Sequence, residues 1–151
     1  MRWAVAILTL VFAVALTAAT VAAQRRGGDP KLAARKNPVA ANAASITAGR
    51  ALYNKNCRHC HGLRGKGDGP LAPKDPKPAD LTDAHWDHGT SDGEIFAVIW
   101  NGAPSAQSKG KDQGMVGMKG TLTEKEVWQV VNFIRSIGPA PAQPANAPVK
   151  K

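Results

Sequence analysis

A chain of 151 residues with a net charge of +9 and two cysteines has the natural content of one domain and no means of building a disulfide scaffold. Its excess of cations suits an acidic protein partner or an anionic membrane surface. Nucleic acid is excluded as the natural partner, because no recognition motif accompanies the charge.

The N-terminus opens with Met1 and Arg2, an apolar run from Trp3 to Leu16, and small residues as far as Val21-Ala22-Ala23. A basic start, an apolar stretch of this length and a small-residue end predict a secretory signal peptide over residues 1–23, cut after Ala23. Retention as a membrane anchor facing the periplasm is the alternative, since the segment is long enough to span a bilayer. The alanine and threonine content between Thr17 and Ala23 favours cleavage. Residues 24–44 carry Arg25, Arg26, Lys31, Arg35 and Lys36 among Gly, Pro, Ala and Asn, which predicts a flexible basic linker.

A helix is predicted from Ser45 through Tyr53, capped by Ser45 or Thr47, with Gly49 and Tyr53 on one side of it. It leads into Cys57-Arg58-His59-Cys60-His61. C-x-x-C-H is the spacing of covalent c-type haem attachment. Two thiols one helical turn apart can each add to a haem vinyl group, and the imidazole beside the second can bind the iron as an axial ligand. A redox dithiol would belong next to a βαβ pattern, and none is present. A structural zinc site would need a second pair of ligands, yet the chain has no further cysteine. His59, between the thiols, reads as solvated, and His85 and His88 as surface residues.

Gly62, Gly65, Gly67 and Gly69 predict an irregular loop at the edge of the cofactor. Asp92 to Asn101 predicts a short apolar helix ending near Gly102, and the polar stretch that follows to Gly114 a second loop. Thr123, with Glu124 and Glu126 behind it, caps a helix whose Val127, Val130, Val131, Ile134 and Ile137 recur at helical spacing until Gly138 and Pro139 stop it. Val130 and Phe133 lie on the flank suited to Gly49 and Tyr53. Residues 139–151 alternate proline and alanine and predict a solvated tail. The folded unit is thus residues 45–138, small enough for a haem to supply a large share of its apolar core.

With C-x-x-C-H between an N-terminal and a C-terminal helix, and a methionine loop before the latter, the chain resembles class I monohaem cytochromes c of bacterial periplasmic type. Gly69-Pro70-Leu71, Lys77-Pro78-Ala79-Asp80-Leu81-Thr82-Asp83, Ser91-Asp92-Gly93-Glu94-Ile95-Phe96 and the terminal helix extend the likeness from about Thr47 to Ile137. The resemblance implies an all-α fold in which the first and last helices cross and loops wrap one covalently bound haem c. It implies His61 as one axial ligand and Met115 as the other, because Met115 stands seven residues before Leu122, the family's common register. Met118 is the second choice, with His85 and His88 behind it. Val116 and Met118 depart from the proline and the aromatic usual at their positions. By the same resemblance the Pro70 carbonyl accepts the Nδ1 proton of His61. Trp86 and Trp100 are candidates for a haem propionate or for an aromatic wall of the core, the second being the expected role. The function implied is that of a periplasmic one-electron carrier serving redox partners with acidic docking surfaces, with peripheral membrane association as a further option. The alternatives are the electron-accepting haem subunit of a dehydrogenase complex and a peroxidase-like haem enzyme.

Overall fold

The computed structural model describes residues 29–103 and 114–139. The predicted signal segment, the first residues of the predicted linker, most of the second loop and all but Pro139 of the tail lie outside the described residues. Five helices and a two-stranded ribbon follow in chain order: α1 Pro30–Ala33, α2 Ala43–Asn56, α3 Arg58–His61, α4 Asp92–Asn101, β1 Gly102–Ala103, β2 Met115–Val116 and α5 Glu124–Ile137. The described chain is therefore all-α apart from the antiparallel ribbon, which pairs Gly102 with Val116 and Ala103 with Met115.

Three helices start on reciprocal caps that satisfy their first free backbone N–H groups. In α5 the Thr123 hydroxyl accepts from Glu126 N at 3.3 Å, and the Glu126 carboxylate accepts from Thr123 N at 2.8 Å, as the sequence predicts. Ser91 and Glu94 do the same for α4. In α2 the cap is Asn42, not Ser45 or Thr47. Asn42 adopts an extended backbone and its amide oxygen accepts from Ser45 N at 2.9 Å, so Ser45 becomes the third helical residue and the reciprocal member of the box. Thr47 lies exposed within the first turns.

The crossing of α2 and α5 organises the core. A side chain at Gly49 would run into the Gln129 carbonyl and the Phe133 Cβ, so the two backbones can meet only at a glycine. Beside that contact the Tyr53 and Phe133 rings stand 5.0 Å apart, tilted by 54°. Val127, Trp128, Val130, Val131 and Ile134 complete the buried face of α5, and α4 adds Ile95, Phe96 and Ile99. Each such side chain contributes about 1.5–3 kcal/mol by leaving water.

The stretch predicted as the rear of a flexible linker is a strap packed across α4 and α5. Asp29 caps α1 by accepting from Lys31 N at 2.9 Å, and Leu32 and Val39 pack against the core. The Arg35 guanidinium lies 4.9 Å from the Phe96 ring centroid and 5.5 Å from that of Trp128, and it pairs with Glu124 at 2.7 Å. Gly93 of α4 leaves room for the carbonyls of Leu32, Ala33 and Arg35. Farther along, Asn37 Nδ2 donates to Asn132 Oδ1 at 2.8 Å, while buried Asn132 donates to the Val39 carbonyl and the Ser45 hydroxyl, each at 3.1 Å. Composition hid this because two apolar residues, one stacked arginine and one asparagine pair do the anchoring in an otherwise polar run.

Candidate functional site

The end of α2 delivers the thiol and imidazole groups. Cys57 caps α2 through its own N–H to the Tyr53 carbonyl at 2.8 Å, and the chain turns at once into α3. Within that turn Cys60 N and His61 N both donate to the Cys57 carbonyl, at 3.2 and 3.0 Å. Cys57, Cys60 and His61 thus sit on one tight turn, all partly buried, while His59 between them is exposed, as the motif requires. The buried Tyr53 hydroxyl donates to the Gly62 carbonyl at 2.7 Å and fixes the exit from this turn.

Burial, with Cys60 beside it, pushes the Cys57 thiol up to about 11. A redox-active dithiol needs the opposite shift, since the thiolate is the nucleophile. Cys57 is thereby a poor candidate for a redox nucleophile.

His61 Nδ1 lies 3.2 Å from the carbonyl oxygen of Ala79. The acceptor expected from the resemblance was the Pro70 carbonyl, and the structure has Ala79 in its place. Gly69-Pro70-Leu71 packs behind α3 instead: Gly69 N donates to the Cys60 carbonyl at 3.1 Å and Leu71 N to the His59 carbonyl at 2.8 Å, and Pro70 is exposed. A ring nitrogen that donates to a carbonyl leaves the other nitrogen as a lone-pair donor. Burial lowers the His61 pKa and the Ala79 carbonyl works against that fall; the neutral imidazole is the ligating form.

The loop segment carrying Ala79 is held by short bonds that carry no periodic signal in the sequence. Leu81 N donates to the Gly65 carbonyl at 2.7 Å. The Asp80 carboxylate accepts from Thr82 N at 2.8 Å and from the Thr82 hydroxyl at 2.6 Å. Lys66 Nζ donates to Thr82 Oγ1 at 2.9 Å and stands 3.5 Å from Asp80. The two Thr82 hydrogen bonds, then Lys66, hold the Asp80 carboxyl below its usual range. An aspartate two residues before a threonine N–H is the pattern of an Asx turn, and this was the available signal.

Met115 and Met118, both partly buried, pack against the same core as Cys57. Met115 is placed by its ribbon pairing with Ala103, and Met118 by its N–H to the Ile99 carbonyl at 2.8 Å. Met118 also accepts from Leu122 N at 3.0 Å, which ties the methionine loop to the start of α5. Trp86 and Trp100 are half-buried against the core, Trp100 stacked at 5.8 Å on Phe96, in keeping with an aromatic wall. His85 is exposed and lies 3.1 Å from Asp87, and His88 is half-buried elsewhere on that loop.

A haem fits this donor set. Between Tyr53 and Leu81 no apolar side chain is buried, so the motif and its loops have no protein core of their own to close on. They do have two thiols, an oriented imidazole and, against the same core, two thioethers. The two thiols would hold an iron porphyrin covalently beside the imidazole, and the bound group would supply one-electron chemistry.

Comparison with known proteins agrees. No curated protein matches the chain. Among solved structures, the Kuenenia stuttgartiensis reducing HAO-like protein complex Kustc0457/Kustc0458 overlaps with a TM-score of 0.55 at 25% identity, covering 68% of this chain and 47% of that one. The chain thus spans about half the length of that relative. Cytochrome cL of the marine methylotroph Methylophaga aminisulfidivorans MPT overlaps with a TM-score of 0.52 at 23% identity, over 75% of this chain and 73% of that one, and supports the fold. Residues 46–138 match the family described as Cytochrome c. From the paired thiols and the imidazole on one turn to the helix crossing that carries them, the chain belongs to the cytochrome c family, whose haem is bound covalently at a motif of the kind formed by Cys57 and Cys60.

Proposed function

We propose that the protein is a periplasmic one-electron carrier whose single haem is attached through Cys57 and Cys60 and ligated by His61 and Met115. The observation that carries this reading is the His61 Nδ1 contact with the Ala79 carbonyl at 3.2 Å, which supports an imidazole that offers Nε2 to the iron. With a thioether on the other face no coordination position stays open, and His/Met ligation favours a comparatively high potential. Among the two thioethers Met115 is chosen on its register before Leu122, and Met118 is the alternative.

Visible spectra of the exported protein in both redox states test the reading. Wild-type protein gives a low-spin reduced spectrum, and Met115→Ala loses the methionine-to-iron absorption band while Met118→Ala keeps it. Retention of the band in Met115→Ala transfers the role to Met118. Rapid carbon monoxide binding by the reduced wild type at neutral pH would instead mark an open iron, as a peroxidase-like enzyme needs.

The basic balance, +9 over the chain, suits donors and acceptors with acidic docking surfaces, and it also suits an anionic membrane. A second reading, a haem subunit of a larger oxidoreductase, is favoured by the overlap with a chain of a multi-protein complex; copurification with a larger catalytic chain separates it from a free carrier. Export through residues 1–23 is checked by the N-terminus of the mature protein, expected at Gln24.

A further inference from the structure

The Ala79 carbonyl is the one described partner of the imidazole, so whatever holds that carbonyl bears on the ligand. Three side chains converge on its segment. Asp80, the next residue, accepts from both the backbone N–H and the hydroxyl of Thr82, at 2.8 and 2.6 Å. Lys66, on the glycine-rich loop that leaves His61, donates to the Thr82 hydroxyl at 2.9 Å and faces Asp80 at 3.5 Å. The same loop holds both ends by backbone bonds: Gly67 N donates to the His61 carbonyl at 2.9 Å, and Leu81 N donates to the Gly65 carbonyl at 2.7 Å. The Thr82 hydroxyl is thereby the hinge pin between the loop that follows the imidazole and the segment that carries its acceptor.

We propose that Lys66, Asp80 and Thr82 form a positioning clamp that sets the reduction potential by holding the Ala79 carbonyl against His61 Nδ1. This rests on His61 being an axial ligand. An acceptor at Nδ1 makes the imidazole a more basic ligand, which stabilises the oxidised iron. Loosening the acceptor lowers that basicity and favours the reduced iron, so the potential rises. The ion pair leaves the Lys66 and Asp80 side chains 50% and 30% exposed, and a pair in that setting adds little stability. The clamp therefore acts through geometry, and its loss moves the potential far more than the melting temperature.

Thr82→Val tests it in the full exported holoprotein, because it removes the hydroxyl without changing charge. The expected result is a shift of about threefold in the redox equilibrium against a fixed mediator, toward reduction, or roughly 28 mV on a scale of about 59 mV per tenfold for one electron. Faster solvent exchange of the His61 Nδ1 proton by NMR should accompany it, while Thr82→Ser matches the wild type in both. An unchanged potential and exchange rate in Thr82→Val, or a Thr82→Ser variant that shifts as far, overturns the clamp. Should Thr82→Val fail to retain haem, Lys66→Met at the surface decides through the proton exchange: faster exchange supports the clamp and unchanged exchange removes it. A wild-type spectrum without histidine ligation would instead defeat the reading of His61 itself, so the two failures are told apart.

Discussion

Tyr53 shows how one side chain serves both core and site. Its ring packs on Phe133 while its hydroxyl, buried, donates to the Gly62 carbonyl directly after His61. Burial pushes its phenol well above the ordinary value, so it remains a hydrogen-bond donor throughout the working range. Tyr53→Phe keeps the ring and strands the carbonyl, at a cost of about 1–3 kcal/mol. A denaturant midpoint measured against the wild type reads that loss, and the visible spectrum is expected to be unaltered. At the same scale, Cys57, Cys60 and His61 were legible in the sequence because their chemistry depends on spacing within one turn. The acceptor for His61 was not. Pro70 and Ala79 both follow the motif through loops, and only the folded chain shows that the Ala79 carbonyl lies within reach of the ring.

Among the elements, α4 and α5 could be read from caps and apolar period, since Ser91 with Glu94 and Thr123 with Glu126 are local signals. The strap of residues 29–42 could not. Its anchors are an arginine over two rings and an asparagine pair, residue types that also populate solvated linkers. Arg35 and Glu124 give this element a pH dependence. The Arg35 hydrogen bond holds the Glu124 carboxyl below its ordinary value, so the folded state binds the proton less readily than the unfolded chain. The pair's contribution is then fully present above the ordinary carboxylate pKa and is lost as pH falls through the lowered one. Glu124→Gln should flatten that acid-side slope of the melting temperature and leave the neutral side nearly parallel to wild type, and the difference should shrink at high salt.

For the whole molecule, the distribution of the core is the telling feature. Buried apolar residues come from α2, α4, α5 and the loop positions Leu81 and Leu122, with none between Tyr53 and Leu81. Leu63 and Leu71 on that stretch are 70% and 69% exposed. A domain of this size buries a modest share of its surface, and the long loop around the motif has only backbone bonds and polar contacts to close it. A Cys57→Ser, Cys60→Ser variant, unable to tether haem, is therefore expected to lose a sharp cooperative melt by circular dichroism; a transition as steep as that of the holoprotein would show that the helices alone carry the fold.

The amino-acid sequence by itself determined the haem-binding turn, the two long helices and the need for a close crossing at Gly49, because each rests on residues near one another in the chain or on a single steric requirement. Tertiary structure alone decided that Ala79 meets the imidazole, that Lys66 and Thr82 stand behind it, and that the basic segment before α2 packs against the core. These depend on contacts between residues far apart in sequence, such as Asn37 with Asn132 and Arg35 with Glu124, whose side chains carry no periodic signal and acquire partners only when the chain is folded.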